Sequence, residues 1–214
     1  MTSEHEALRF GAVAAAIRTR RLIAVLRRIE PRQRLLALVD ELIADGVTVL
    51  EITFDGADAA GNLAAVRARV ADEAVVVGAG TIRTPDQLRA AHDAGAAFAV
   101  SPIFDPVVLA AACEARLPFV PGAATPTEAD AAWRAGATFV KVFPGSSLGP
   151  GFVRELRGPL PEIETIVTGG VDGSNARAFL DAGAAAVGIG SALGRMSRAE
   201  RVALVESAAG GAAR

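Results

Sequence analysis

Short apolar runs alternate with amphipathic stretches along most of the chain. Eight of these runs are rich in Val, Ile, Phe and Ala and lack strict alternation of apolar and polar residues, which is typical of strands buried on both faces of a parallel sheet. We predict strands over Leu22–Leu26, Val47–Thr53, Val75–Gly78, Ala97–Ser101, Pro118–Pro121, Thr138–Phe143, Glu164–Thr168 and Ala185–Ile189. The pattern therefore predicts an α/β protein built from repeated strand–helix units.

The stretches between these runs carry the signals of helices. Segments Thr84–Gln87 and Thr125–Glu128 each begin with a Thr suited to the N-cap, followed by Pro at the first helical position. The segment Pro31–Asp45 repeats apolar residues at the spacing of one helix face. Glycine directly follows four predicted helices and precedes a strand each time, at Gly46, Gly95, Gly136 and Gly183.

Eight strand–helix units in about 200 residues predict a (β/α)8 TIM barrel, with Glu4–Arg20 as an extra N-terminal helix. A doubly wound open sheet is the alternative, but no G-x-G-x-x-G follows the first strand. The sequence has no linker or low-complexity segment, so we expect a single domain over residues 1–214. Only the tail Ala208–Arg214 is expected to fray.

Composition excludes several classes of function. A hydrophobic fraction of 51% supports a large buried core, and a net charge of −2 gives no sign of a nucleic-acid or membrane surface. No apolar run is long enough to span a membrane, and no signal segment precedes the first helix, so a cytoplasmic protein is expected. The single cysteine, Cys113, excludes an internal disulfide, and only two histidines are present. We therefore expect no metal site built on Cys or His.

Lys141 is the sole lysine, since all the other basic residues are arginines. Arginine can replace lysine on a surface, but its guanidinium stays protonated and cannot form an imine. Lys141 lies inside the apolar run Thr138–Phe143, where burial would lower the pKa of its amine. We therefore predict that Lys141 is a nucleophile. The alternative is an amphipathic lysine paired with Glu51 for structure alone.

Glu51 interrupts another apolar strand, Val49–Thr53. An unpaired buried carboxylate is costly, so Glu51 must pair with a cation, face the barrel mouth, or both. Beside an amine nucleophile, one carboxylate of raised pKa could serve as the general acid and base. A structural ion pair is again the alternative.

Other polar residues fall at the carboxyl ends of the strands, where barrels carry their active sites. Gly169 and Gly170, together with the pair Gly190–Ser191, favour a phosphate site after the last two strands, although glycines also serve in tight turns. After the first strand, Arg27 could bind a carboxylate, whereas Arg28 is better explained as a solvated side chain. The Thr81 hydroxyl could bind the same carboxylate or cap a turn.

These residues resemble the motifs of the class I aldolases of the KDPG/KHG type (2-dehydro-3-deoxy-phosphogluconate and 4-hydroxy-2-oxoglutarate aldolases). The resemblance extends from Leu22 to about Leu193. The matching segments are Ile23–Arg27, Leu50–Phe54, Val77–Thr81, Val100–Pro102, Pro121–Gly122, Val140–Gly145, Thr168–Val171 and Val187–Leu193. Together they are specific, although no single one would be.

The resemblance implies a homotrimeric barrel enzyme that needs neither metal nor cofactor. It would cleave a KDPG-like phosphorylated keto acid, or 4-hydroxy-2-oxoglutarate, to pyruvate plus glyceraldehyde 3-phosphate or glyoxylate. By position, Lys141 would form the Schiff base and Glu51 would move protons. The substrate would be bound by Arg27 and Thr81 at its carboxylate and by Gly169, Gly170 and Ser191 at its phosphate, and Pro102 and Phe143 would shape the pocket.

One position departs from the family pattern. Some members carry a second arginine four residues after the glutamate, and Asp55 stands there in this chain. An acid beside a bound carboxylate would repel it unless the acid points away. If Asp55 faces the site, either Arg27 alone binds the carboxylate or the substrate differs from the usual phosphogluconate derivative. Two other functions remain open: a phosphosugar isomerase or epimerase using Glu51 as base, and a non-catalytic sugar-phosphate-binding protein.

Overall fold

The computed structural model describes residues 11–70 and 74–210. The strands within them are β1 (Leu22–Leu26), β2 (Val49–Thr53), β3 (Val76–Gly80), β4 (Ala99–Val100), β5 (Phe119–Val120), β6 (Gly122–Ala123), β7 (Val140–Val142), β8 (Thr165–Thr168) and β9 (Ala186–Ile189). The helices are α1 (Ala12–Arg20), α2 (Arg32–Ala44), α3 (Ala59–Arg69), α4 (Pro85–Asp93), α5 (Pro106–Glu114), α6 (Pro126–Arg134), α7 (Gly145–Arg157), α8 (Ala176–Asp181) and α9 (Arg198–Ala209). A 3₁₀ helix, Leu193–Arg195, precedes α9.

The strands form one parallel sheet in the order β5-β4-β3-β2-β1-β9-β8-β7-β6. Its two ends, β5 and β6, are halves of one strand interrupted at Pro121, which has no N–H to donate. The Pro121 carbonyl accepts a hydrogen bond from the Lys141 amide at 2.8 Å, and the Phe119 carbonyl accepts one from Thr138 at 2.9 Å. These bonds close the sheet, so the nine segments fill eight strand positions and confirm the predicted (β/α)8 barrel.

The predicted boundaries differ from the observed ones mainly at strand ends. All eight predicted strands are present, most of them one or two residues shorter at one or both ends. β3 instead extends to Gly80, because Gly80 continues the parallel pairing opposite Thr53. The predicted N-terminal helix is observed as α1, and its segment Glu4–Phe10 lies outside the described residues, as do residues 211–214 of the predicted tail.

The helix signals are confirmed by the backbone. The Thr125 side chain accepts a hydrogen bond from the Glu128 amide, and the Glu128 carboxylate accepts one from the Thr125 amide, which completes a capping box. Thr84 caps α4 through the Gln87 amide. The four glycines at the predicted helix ends all have φ between +88° and +106°, a range in which a Cβ is strained: Gly46, Gly95, Gly136 and Gly183.

The barrel interior is filled at the amino ends of the strands. Apolar side chains including Ile23, Val49 and Phe139 form one buried cluster there, joined by Ile17 of α1. Arg18 of α1 is paired with Glu164, directly before β8, so α1 covers this end of the barrel. A second and larger core lies between the strands and the outer helices. Within the described ranges, no helix is both long and apolar enough to cross a membrane.

Candidate active site

A cavity of about 850 Å³ opens at the carboxyl ends of the strands, at the opposite end from α1. It lies over β1, β7, β8 and β9 and the loops that follow them. Five of the nine predicted site residues line it: Arg27, Lys141, Gly169, Gly170 and Ser191. The topology therefore brings together residues that are as much as 164 positions apart in the chain.

Lys141 reaches the cavity from the middle of β7, and only 5% of the residue is exposed. Its Nζ lies 5.1 Å from the centre of the Phe143 ring. Burial lowers the pKa of the Lys141 amine; Glu51 opposes this effect and Arg27 adds to it. The surroundings therefore favour a neutral amine, the form that can attack a carbonyl carbon.

Glu51 projects from β2 and is 1% exposed. Burial raises the pKa of its carboxyl group, while the positive charges of Lys141 and Arg27 oppose the rise. The two side chains influence each other's charge, yet among the described residues no ion pair within 4.0 Å joins them. The structural Lys141–Glu51 pair considered as an alternative is therefore not formed. A separation of this kind suits a bridging water or a substrate hydroxyl.

Arg27 lies at the edge of the cavity directly after β1. Its Nη2 donates a hydrogen bond to Thr81 Oγ1 at 3.2 Å, and its Nη1 lies 3.7 Å from Asp55 Oδ2. Thr81 has φ +60°, a left-handed conformation in which non-glycine residues cluster at functional sites. Arg28, predicted to be a solvated side chain, pairs with Asp55 at 3.1 Å. Asp55 thus faces two guanidinium groups.

The loop after β8 wraps around the first turn of α7. Gly169 and Gly170 have φ of +86° and +73°. The Gly169 carbonyl accepts a hydrogen bond from the Ser146 amide at 2.8 Å, and a side chain at Gly170 would collide with Ser146. The absence of a Cβ therefore lets this backbone pack closely at the cavity wall. Ser191 is exposed at the cavity's far side, directly after Gly190.

The other four predicted residues are not among those that line the cavity. The Glu51 side chain packs against Gly80 of β3, and Thr81 is hydrogen-bonded to Arg27. Phe143 is 36% exposed on the rim, with its ring against Gly169. The Pro102 carbonyl packs against Gly122, the residue paired with Lys141 across β6 and β7.

The family described as "Aldolase: KDPG and KHG aldolase" matches residues 13–207 of this chain. The chain belongs to this family. It is 36% identical to 2-dehydro-3-deoxy-6-phosphogalactonate aldolase of Escherichia coli strain K12 over 184 residues, covering 85% of this chain and 89% of that one. It is also 36% identical to 2-dehydro-3-deoxy-phosphogluconate aldolase of Pseudomonas aeruginosa over 166 residues, covering 76% and 73%.

A solved structure carries the same fold. It is that of the KDPG aldolase of Legionella pneumophila, which is 27% identical, with a TM-score of 0.78 over 92% of this chain and 96% of that one. That crystal contains pyruvate captured at low pH as a covalent carbinolamine intermediate. The present protein is thus an aldolase, a carbon–carbon lyase of the class that proceeds through a Schiff base and releases pyruvate.

Some cavity residues of this aldolase escaped the sequence analysis. Arg34 and Arg195 line the outer cavity, from α2 and the 3₁₀ helix. Arg34 has the pattern of an ordinary solvated helix residue, so no sequence signal marks it, whereas Arg195 lies close after the Val187–Leu193 motif. Thr168, which the sequence places at the start of the motif Thr168–Val171 without a role of its own, also lines the cavity, and its buried Oγ1 has no hydrogen-bond partner among the described residues.

No cluster of three or more His, Cys, Asp or Glu side chains suited to a metal ion occurs in the described part of this aldolase. Cys113, on α5, packs against the outer core.

Proposed function

We propose that this aldolase cleaves a phosphorylated 2-keto-3-deoxy sugar acid between C3 and C4, through a Schiff base on Lys141, to pyruvate and a phosphorylated aldehyde. One observation carries the proposal above all others. The sole lysine is buried at the floor of the cavity, where burial lowers the pKa of its amine. A lysine serving structure or solubility has no need of that environment.

The proposed reaction begins with attack of the neutral Lys141 amine on the C2 keto carbon. The resulting carbinolamine loses water to give an imine, whose protonated nitrogen attracts electrons. Loss of the C4 hydroxyl proton then breaks the C3–C4 bond and releases the aldehyde, and the bonding electrons form an enamine on Lys141. Protonation of C3 and hydrolysis release pyruvate and restore the amine.

Glu51 is the proposed proton carrier in these steps. Each step either removes a proton from a hydroxyl group or returns one, and the burial that raises the pKa of Glu51 moves it towards the working pH. Because no direct ion pair binds it to Lys141, the carboxyl group is free to exchange protons through an intervening water.

The two ends of the cavity suit the two ends of such a substrate. We assign the keto-acid carboxylate to Arg27 and the Thr81 hydroxyl, which already contact each other. We assign the phosphate to the backbone of Gly169 and Gly170 and to Ser191. Pro102 and Phe143 shape the pocket between these two ends.

Phosphate is favoured over a second carboxylate at the far end. The outer cavity adds two arginines, Arg34 and Arg195, and a six-carbon acid phosphate needs more room than 4-hydroxy-2-oxoglutarate. The Escherichia coli and Pseudomonas aeruginosa relatives are both named for phosphorylated six-carbon acids. We therefore propose a substrate of that class.

The test is borohydride reduction in the presence of pyruvate, followed by peptide mass spectrometry. We expect a pyruvate-derived adduct on the peptide that contains Lys141, and because no other lysine exists, the adduct's position is unambiguous. Lys141→Arg should give no adduct and no turnover while remaining folded by circular dichroism; Lys141→Met is the second variant, in case arginine does not fit the site. A folded wild-type protein that forms no adduct would contradict the proposal.

We further propose a homotrimer, in keeping with the family resemblance. Ile103 and Val107 are 48% and 63% exposed, and apolar side chains of this kind suit a surface covered by another copy. Analytical ultracentrifugation should give three times the chain mass of 21.8 kDa, and a monomeric mass would contradict this proposal. The cytoplasmic location stays a prediction.

A further inference from the structure

Asp55 stands between two arginines at the end of the site assigned to the keto-acid carboxylate. Its Oδ2 lies 3.7 Å from Arg27 Nη1 and 3.1 Å from Arg28 Nη2. The Asp55 carbonyl also accepts a hydrogen bond from Arg28 Nε at 3.1 Å. One residue in the β2–α3 loop therefore contacts both arginines that follow β1.

Two neighbouring loops each contact one terminal nitrogen of the Arg27 guanidinium. Asp55 faces Nη1, while Thr81, in the loop after β3, accepts a hydrogen bond from Nη2. The Arg27 side chain is 54% exposed and would otherwise sample many rotamers. A guanidinium has five N–H donors, so these two contacts leave donors for a substrate carboxylate.

The position of Asp55 is not set by hydrogen bonds to both of its carboxylate oxygens. Its Oδ2 faces the two arginines, whereas its Oδ1 is buried and has no hydrogen-bond partner within normal geometry among the described residues, an arrangement that costs free energy. Burial also raises the pKa of the Asp55 carboxyl, but Thr53 and the two guanidinium groups outweigh that effect and hold it below its ordinary value. Asp55 is therefore ionised at neutral pH and remains a counter-ion to both arginines.

We propose that Asp55 is a positioning residue that fixes the Arg27 guanidinium for a single substrate carboxylate and thereby selects 2-keto acids. The two arginines and Asp55 together carry one net positive charge, which one carboxylate neutralises. The aspartate that would repel a substrate if it stood alone is neutralised here by Arg28. This inference rests on the proposed function, since it presumes that the ketone end of the substrate reaches Lys141.

Removing the Asp55 charge has two opposing effects on substrate binding: it strengthens the attraction between the arginines and an anion, and it loosens the orientation of the Arg27 guanidinium. The loss of orientation outweighs the gain in attraction. The extra positive charge would attract an anion, but at a half-exposed arginine, water screens that gain. A bidentate arginine–carboxylate pair depends on the direction of the guanidinium fork, which the Asp55 contact helps to fix. Asp55→Asn should therefore weaken, not strengthen, the binding of a keto acid.

The experiment measures borohydride trapping on Lys141 as a function of ketone concentration, with pyruvate and with methyl pyruvate. Methyl pyruvate keeps the reactive ketone but carries no ionised carboxylate. We expect Asp55→Asn to raise the half-saturating pyruvate concentration about tenfold, the size of one charge-assisted hydrogen bond, and to leave that of methyl pyruvate unchanged. Asp55→Glu, which keeps the charge, should lie between wild type and Asp55→Asn.

Asp40→Asn is the matched control, because it removes an aspartate from another Asp–Arg pair, with Arg69, outside the barrel. It should leave both half-saturating concentrations unchanged. A folded Asp55→Asn protein with unchanged pyruvate saturation, or with equal shifts for the two ketones, would overturn the role of Asp55. Absence of any adduct in wild type would instead overturn the Schiff-base function itself.

Discussion

The Glu51 carboxyl group occupies the space in which a side chain at Gly80 would begin. A Cβ added to Gly80 would lie 2.5 Å from Glu51 Cδ and 2.7 Å from Cγ, well inside van der Waals contact. The two residues lie on neighbouring strands, β2 and β3, with Gly80 paired opposite Thr53. Glycine is therefore needed here for space, and it lets a carboxyl group fold back inside a packed barrel wall.

Gly80→Ala should displace the Glu51 carboxyl group without disturbing the backbone, since Gly80 does not have a positive φ. A shift of about 1 Å at a proton carrier can cost up to about a hundredfold in rate, so we expect kcat to fall at least tenfold. Gly151→Ala is the control, because a Cβ at Gly151 meets nothing within 4 Å. The measurement is kcat of both variants by steady-state kinetics. A fully active Gly80→Ala enzyme would contradict the prediction and show that the Glu51 carboxyl group can move aside without loss of rate.

Glu51→Gln should lower the catalytic activity and raise the stability of the fold, and the gain in stability should depend on pH. The folded pKa of Glu51 lies above its unfolded value, so the folded state keeps a proton that the unfolded state releases as the pH rises above about 4.3. Glu51 therefore destabilises the folded state increasingly as the pH rises, until the pH passes the pKa that Glu51 has in the folded state. Glutamine does not titrate, so the substitution removes this effect. Denaturant unfolding should show the variant's advantage growing from pH 4 to pH 8, while kcat falls about a hundredfold or more.

The same stability difference at every pH would contradict the raised pKa of Glu51. Full turnover by the glutamine variant would exclude Glu51 as the proton carrier.

The fold could be predicted from the sequence because its signals are local. Mainly apolar strand runs recur in every unit, and several units add a Thr-Pro helix start such as Thr125-Pro126 or a glycine helix end such as Gly136. The repeat count then limits the architecture to a closed barrel or an open sheet. The sequence did not predict that one strand is interrupted at Pro121. The two halves of this strand, β5 and β6, differ only in the neighbouring strand with which each pairs, and that pairing is not visible in the sequence.

Site residues can be predicted from the sequence where the chemistry requires one residue type. They cannot be predicted where the role of a residue depends on its side-chain contacts with other loops. A sole lysine and a carboxylate inside apolar strands are unusual in any sequence, so the sequence singles out Lys141 and Glu51 as candidates, and the structure places Lys141 in the cavity wall. The sequence leaves open whether Asp55 faces the site and repels a substrate or points away, because it does not reveal that Arg28 turns towards Asp55. Side-chain pairing across different loops depends on the assembled barrel.

Ser191→Ala tests the phosphate end. If the Ser191 hydroxyl binds the phosphate, its loss should raise the KM for the phosphorylated substrate about tenfold, the size of one hydrogen bond to a charged group. The KM for the matching unphosphorylated acid should stay the same, which makes that acid the internal control. Equal changes for the two substrates would remove Ser191 from the phosphate site.

Thr168→Val should stabilise the fold of the protein but lower its catalytic efficiency. Thr168 is 5% exposed at the end of β8, and its Oγ1 lacks a partner among the described residues. Replacing such a hydroxyl by a methyl group of similar shape removes an unmet hydrogen bond and should raise the free energy of unfolding by about 1 kcal/mol.

Because Thr168 also lines the cavity, we expect its hydroxyl to bond a substrate oxygen, so kcat/KM should fall about tenfold. Thr165→Val is the matched control, since Thr165 Oγ1 is equally buried and unpartnered among the described residues but lies at the other end of the same strand. The control should gain stability and keep its activity. If both variants kept full activity, the hydroxyl of Thr168 would have no part in binding the substrate.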